Sequence, residues 1–307
     1  MQNDKDATPR LTGAQPATRR DSELNGFEHR YALVDGVRMH YVIGGNHSGE
    51  TVVLLAGFPQ SWYAWRKVMH LLGDRYRVIA PDLPGQGDSD RPETGYDTRT
   101  LAETVHGLLA QLDIRQYFLV AHDVGAWVAW PYTALYSNEV KRLALLDAGI
   151  PGITLPDALP VSADKAWRTW HFAFHAIPDL PEALITGRER TYLAWFLKRK
   201  TANPETFQES DIEEYLRVMN RSGGLRAGLA YYRAAELSAE QNRALQVEGK
   251  LKVPVLAVSA DYGSINDMAA PLRAFAENVS GVIIPHCGHF IPEEQPAALA
   301  RELREFF

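Results

Sequence analysis

Short apolar runs alternate with amphipathic stretches along most of this chain, and glycine, proline and aspartate mark the joins. Tyr31-Ala32-Leu33-Val34 ends at Asp35-Gly36, and Arg38-Met39-His40-Tyr41-Val42-Ile43 alternates after it, which predicts an antiparallel hairpin. Thr51 to Ala56 is continuously apolar, as a strand covered on both faces requires. Further strands are predicted at Tyr76–Ala80, Gln116–Val120, Lys141–Leu146, Pro254–Val258 and Gly281–Pro285. Helical patterns lie between them: Trp62–Leu72 behind Ser61 as cap, Leu101–Leu112, Ala126–Tyr136, Asp267–Glu277 and Glu293–Phe307. Strand and helix thus alternate over residues 26–149 and 251–307, which predicts an α/β core with a mainly parallel sheet flanked by helices. Residues 150–250 carry prolines at 151, 156, 160, 178 and 181 and helical stretches rich in Trp, Phe and Tyr, without a strand pattern. They predict a helical cap inserted into the core.

Residues 1–25 are polar, and Arg19-Arg20 has no apolar run behind it, so a polar tail is expected rather than a signal peptide or a membrane span. The whole chain has 307 residues, 46% of them hydrophobic, enough for one large elaborated domain. A net charge of −6 with no concentrated basic face argues against nucleic acid as a partner. The single cysteine, Cys287, rules out an intrachain disulfide and a multi-cysteine metal site. That fits the cytoplasm and leaves secretion open, as it leaves open a homo-oligomer. The glycine-rich stretch Asp82 to Ser89 lacks the lysine of a phosphate loop and the spacing of a dinucleotide turn, so it reads as a surface loop.

A parallel sheet binds its ligands beyond the carboxyl ends of its strands, and three reactive side chains fall there. Asp123 follows a strand and precedes a helix, with the small residues Ala121 and Gly125 two positions to either side, the spacing of a nucleophile elbow. A carboxylate at that point suits attack on a saturated carbon rather than acyl transfer. It would serve equally as the N-cap of the helix that follows. Asp147 ends the next strand, with Asp261 as a rival acid; His289 lies in a Gly-His turn before the last helix, with His286 as a rival base. Nucleophile, acid and histidine stand in the order of an α/β-hydrolase.

Gly57-Phe58-Pro59-Gln60-Ser61-Trp62-Tyr63-Ala64-Trp65-Arg66 resembles the HGxP segment of epoxide hydrolases and of the related haloacid and haloalkane dehalogenases, and the likeness extends over roughly residues 26–307. Ala121-His122-Asp123-Val124-Gly125, Trp170-His171-Phe172, Tyr231-Tyr232-Arg233 and Cys287-Gly288-His289 together resemble the Cif-like subgroup of bacterial epoxide hydrolases. The resemblance implies an α/β-hydrolase fold and opening of a small-molecule epoxide through an alkyl ester on Asp123. His289, oriented by Asp147, would then activate water to release a vicinal diol. It further implies His171 and Tyr232 of the cap as hydrogen-bond or proton donors to the epoxide oxygen, with Tyr231 as the alternative tyrosine. By the residues alone, His171 and Tyr232 fit packed core side chains as well. The backbone N–H groups of Phe58 and Val124 take the positions of oxyanion donors, and neither metal nor organic cofactor is implied. One departure is Ala56 where the family has histidine, which removes a hydrogen bond near the oxyanion loop but no reacting group. Trp167, Trp170, Phe172, Phe174 and Trp195 suggest a substrate with an apolar substituent. A dehalogenase is the nearest rival; Val124 and Trp127, where dehalogenase motifs carry Trp or Arg, count against it. A hydrolase-fold protein that only binds a ligand is a second rival, against which the presence of Asp123, Asp147 and His289 counts.

Overall fold

The computed structural model describes residues 24–156, 162 and 166–307. Most of the expected polar tail, residues 1–23, and the cap positions 157–161 and 163–165 lie outside the described residues. Eight strands, β1 (Phe27–Val34), β2 (Val37–Gly45), β3 (Thr51–Leu55), β4 (Arg77–Pro81), β5 (Tyr117–His122), β6 (Val140–Leu146), β7 (Val255–Ala260) and β8 (Val279–Ile284), form one sheet in the order β1-β2-β4-β3-β5-β6-β7-β8. The hairpin is antiparallel and β2 runs antiparallel to β4; the remaining pairs are parallel. Asp35 and Gly36 both take positive φ, as a tight hairpin turn demands.

Register decides where the chemistry falls. Leu55 pairs with Ala121, His122 with Leu146, and Leu146 with Val258, so β3, β5, β6 and β7 end level with one another. The loops that leave those ends carry Phe58, Asp123, Asp147 and Ser264, and they meet above one edge of the core. Strands β3, β5 and β7 are buried throughout, because the helices Arg66–Leu72, Thr98–Gln111, Val124–Leu135 and Pro296–Phe306 cover the sheet.

Three predicted elements differ from those observed. Asp267–Glu277 shrinks to a turn of helix, Ala269–Leu272, since the backbone beyond it pairs with Leu251: the Leu251 N–H donates to the Phe275 carbonyl and the Glu277 N–H to the Leu251 carbonyl. The last helix divides into Ile291–Glu294 and Pro296–Phe306, because Gln295 precedes a proline and leaves the helical region at φ −133°. Asp82 to Ser89 is no surface loop, for Asp82, Leu83, Gln86 and Ser89 are all buried. Its polar groups find partners inside: the Asp82 carboxylate accepts from the Trp62 and Asp88 N–H groups and meets His40 Nδ1 at 2.7 Å, and Gln86 Nε2 donates to the Ala56 carbonyl.

Between β6 and β7 lie the helices Ala166–Ala176, Leu180–Ile185, Glu189–Arg199, Glu209–Met219, Gly224–Arg233 and Ala235–Leu245, and among the described residues of this segment there is no strand. A buried polar cluster fastens it to the sheet layer. Arg66 donates to Glu293 at 2.6 Å and to Asp211 of the helix Glu209–Met219 at 2.8 Å, while the Tyr215 hydroxyl donates to Glu293 at 2.7 Å.

Candidate active site

Asp123 sits between β5 and the helix Val124–Leu135 at φ 52°, a conformation that costs a residue with a Cβ and is kept only where its surroundings fix it. Two glycines permit the turn. A Cβ on Gly125 would meet the Leu55 carbonyl oxygen at 2.4 Å, and one on Gly57 would meet Asp123 Cβ at 2.3 Å. Asp123 makes no side-chain cap to its helix. Its Oδ1 accepts from the Phe58 N–H at 2.8 Å and its Oδ2 faces His289 Nε2 at 3.4 Å. The geometry is thus that of an elbow whose carboxylate faces a cavity, with no side-chain cap to the helix.

His289 Nδ1 meets Asp147 Oδ2 at 2.7 Å in a fully buried pair. The Asp147 carboxylate is held in place by the N–H groups of Ser264 at 2.8 Å and Ile265 at 2.9 Å. Asp261 has another occupation: its oxygens accept from the N–H groups of His286 and Cys287, so it braces the turn that delivers His289. His286 itself is exposed. His122, pushed down to about 4 by burial and by the charge of His289, is neutral, and its Nε2–H donates to the His289 carbonyl at 2.8 Å. Burial and Lys200 pull His289 down, but its bonds to Asp123 and Asp147 outweigh them and hold it above the ordinary histidine value. Burial pushes Asp123 up; the hydrogen bond and charge of His289, with smaller help from His122 and Lys200, keep it well below the usual carboxylate range.

The inserted helices bring His171 and Tyr232 to the same place. Both are buried, their ring centroids are 5.6 Å apart, and Tyr232 packs edge-on against Phe58 and Trp127, also at 5.6 Å. Burial, then the Asp123 charge, push the Tyr232 phenol well above its ordinary value, so it keeps its proton; burial, Lys200 and His175 push His171 well below, so it is neutral. Tyr231 points elsewhere, as successive residues of a helix must: its hydroxyl donates to the Pro84 carbonyl and its ring lies against Tyr96. The Phe58 N–H meets Asp123 Oδ1, and Val124 follows Asp123 directly in the chain. Val124 opens its helix, where N–H groups lack intrahelical partners. The loop that carries Phe58 keeps its place with Ala56 in the histidine position, through the Gln86 bond to the Ala56 carbonyl at 3.1 Å.

A cavity of about 380 Å³ opens above Asp123, lined by His289, His171 and Lys200 and by the apolar surfaces of Trp127, Leu155, Phe172 and Ile265. Of the five cap aromatics that suggest an apolar substituent, Phe172 lines this cavity. Trp167, Trp170 and Trp195 line a separate outer groove with Tyr192. Trp167, Trp170 and Phe174 share one helical stripe and Arg168 and Phe172 another, so one helix serves two surfaces. Two contributors were not evident in the sequence. Ser264 stands beside Asp147 in a loop without a motif, and Lys200, buried in the cavity, follows the C-terminal turn of Glu189–Arg199, where a lysine is commonplace. Among the described residues no group of three or more His, Cys, Asp and Glu could hold a metal ion, and no helix is long and apolar enough to cross a membrane.

A sheet of this order, an elbow after β5 and a histidine loop after β8 define an α/β-hydrolase. The chain belongs to the α/β-hydrolase fold family, which it matches over residues 50–296. Among its relatives is a soluble epoxide hydrolase of Corynebacterium sp. strain C12, 39% identical over 283 residues that cover 91% of this chain and 96% of that one. The wild-type Cfl2 structure from Burkholderia cenocepacia is 66% identical with a TM-score of 0.91, covering 92% of this chain and 96% of that one. The Cif epoxide hydrolase from Acinetobacter nosocomialis is 26% identical with a TM-score of 0.86, covering 92% and 89%. The resemblance to Cif-like epoxide hydrolases drawn from four short segments is borne out across the chain.

Proposed function

We propose that the protein is an epoxide hydrolase that works through an ester on Asp123, with residues 26–149 and 251–307 as its core and 150–250 as its cap. The observation that carries this is the carboxylate at the elbow: it is held ionised, and its free oxygen stands 3.4 Å from a histidine backed by a second carboxylate. Asp123 Oδ2 attacks one epoxide carbon, the carbon–oxygen bond breaks, and the oxygen takes a proton from Tyr232 with His171 as second donor. A phenol's ordinary pKa of about 10 lies below that of an alcohol, and the Asp123 charge that helps push Tyr232 up is neutralised as the ester forms, which favours the transfer. His289 Nε2 then takes a proton from water, whose oxygen attacks the ester carbonyl carbon. The oxyanion rests on the N–H groups of Phe58 and Val124, in the arrangement that stabilises such intermediates. Collapse breaks the ester, the protons return to the diol oxygen and Tyr232, and Asp123 is free again.

The apolar lining of the cavity supports an epoxide with an apolar substituent, and the single buried cysteine supports a cytoplasmic setting. Val124 and Trp127 favour this reaction over dehalogenation. The test is incubation with a styrene-type epoxide and colorimetric detection of diol, together with intact-protein mass spectrometry of His289→Gln. That variant is expected to carry one equivalent of substrate on the protein and to release none. A His289→Gln protein that neither turns over nor carries an adduct would overturn the two-step scheme.

A further inference from the structure

Two cations line the cavity, Arg168 and Lys200. Arg168 is half-buried and stands over the Trp167 ring, whereas Lys200 is only 3% exposed. The Lys200 ammonium lies 4.7 Å from the centre of the Phe196 ring, and among the described residues it forms no ion pair. A buried cation without a paired carboxylate is costly, so its presence calls for a function. Its backbone is tied to the base: the His289 N–H donates to the Lys200 carbonyl at 2.8 Å, and a Cβ on Gly288 would meet that carbonyl at 2.4 Å. Burial lowers Lys200 to about 8, against the opposing charges of Asp123 and Asp147; esterification removes the first of these, and Asp147 then supports the Lys200 charge.

Every ionisable group around it bears on one question, the charge of the imidazole. His289 faces His122 and Asp123 from the elbow, Asp147 from the end of β6, Glu294 from the helix Ile291–Glu294, and His171 and Lys200 from the inserted helices; Lys200 also faces His175. Asp123 and Asp147 favour the imidazolium, and burial and Lys200 oppose it. While Asp123 is a free carboxylate, an imidazolium beside it does no harm. Once Asp123 is an ester it is neutral, and His289 must be unprotonated to activate water. Asp147 alone would still favour the imidazolium. The cation set against it is Lys200.

We propose that Lys200 is a positioning residue that acts by charge, keeping His289 unprotonated in the ester stage so that hydrolysis proceeds at neutral pH. The inference rests on the epoxide-hydrolase reading above. Asp123→Ser gives the nucleophile position the neutrality of the ester without its chemistry. Titration of the His289 Cε1 proton by NMR is expected to lie about one pH unit higher in Asp123→Ser/Lys200→Met than in Asp123→Ser, the size expected for two unit charges in a half-screened site. Lys200→Arg, which keeps the charge, is expected to leave that titration in place. In single-turnover hydrolysis of the Asp123 ester, Lys200→Met should move the pH limb upward by the same interval and slow the step about tenfold below it. Methionine is nearly isosteric and apolar, which suits a buried position; if Lys200→Met does not fold, Lys200→Gln carries the same expectation. An unmoved His289 titration overturns the proposal, because lost packing would lower the rate without shifting the limb. If the titration moves but the wild type forms no ester from any epoxide, the epoxide-hydrolase reading fails and the role argued for Lys200 falls with it.

Discussion

Asp123, Tyr232 and Lys200 differ in how much of their task is written in their neighbours along the chain. Asp123 is flanked by small residues whose necessity is steric, for a Cβ at Gly125 would strike the β3 backbone, and that requirement is local enough to be read directly. Tyr232 is one of two adjacent tyrosines, and only the helix orientation separates them: Tyr231 spends its hydroxyl on Pro84, and Tyr232 packs with His171 and Trp127. Lys200 is the case no local pattern betrays, since a lysine after a helix end serves the helix dipole in most proteins. We expect Tyr232→Phe to slow formation of the Asp123 ester by roughly 10² or more, in the range for loss of one positioned acid, with hydrolysis of a formed ester nearly unchanged. Tyr231→Phe should leave ester formation within a few-fold of wild type. Single-turnover alkylation by an epoxide and by a matched bromide decides the matter: losses of equal size on both substrates would mean that Tyr232 does not deliver a proton to oxygen.

Elements were legible where a strand ends in a reactive residue, and less so where backbone partners come from far along the chain. Nothing within Asp267–Glu277 announces that Leu251 will claim its backbone, and nothing in Asp82–Ser89 announces that His40 and Trp62 will draw its aspartate inward. Long-range partners also hold the inserted helices. Arg66 and Glu293 are buried, with side chains 7% and 0% exposed, and they meet Asp211 and Tyr215 of Glu209–Met219. Removing Glu293 leaves Arg66 paired with Asp211 alone and takes the charge from the bonds made by Arg66 and Tyr215. Glu293→Gln is therefore expected to lower the unfolding free energy by about 1.5–3 kcal/mol, the range for loss of a hydrogen bond to a charged group. Denaturant unfolding measures it, and a loss below about 1 kcal/mol would mean that Asp211 alone satisfies Arg66.

At the scale of the molecule, the two half-reactions draw on different parts of the chain. In the proposed scheme, ring opening uses Asp123 from the sheet and donors from the inserted helices, whereas ester hydrolysis uses His289, Asp147 and the backbone donors of the sheet layer, with Lys200 of the inserted segment acting on His289. Their acid–base demands differ accordingly. Asp123 is held well below the usual carboxylate range, so it stays ionised as the solution is acidified, and Tyr232, pushed well above its ordinary value, stays protonated. His289 is the group that changes charge on the way down, and its protonated form cannot take a proton from water. Acidification should thus leave alkylation running and stop hydrolysis. Wild-type protein mixed with excess epoxide and quenched at steady state is expected to carry a growing fraction of covalent ester as pH falls through the His289 titration, while diol release declines in step. Mass spectrometry of the quenched protein across the pH series reads that fraction. A fraction that stays constant or shrinks as turnover falls would place the pH-sensitive group in the ring-opening step, and the division of labour between inserted helices and sheet layer would have to be redrawn.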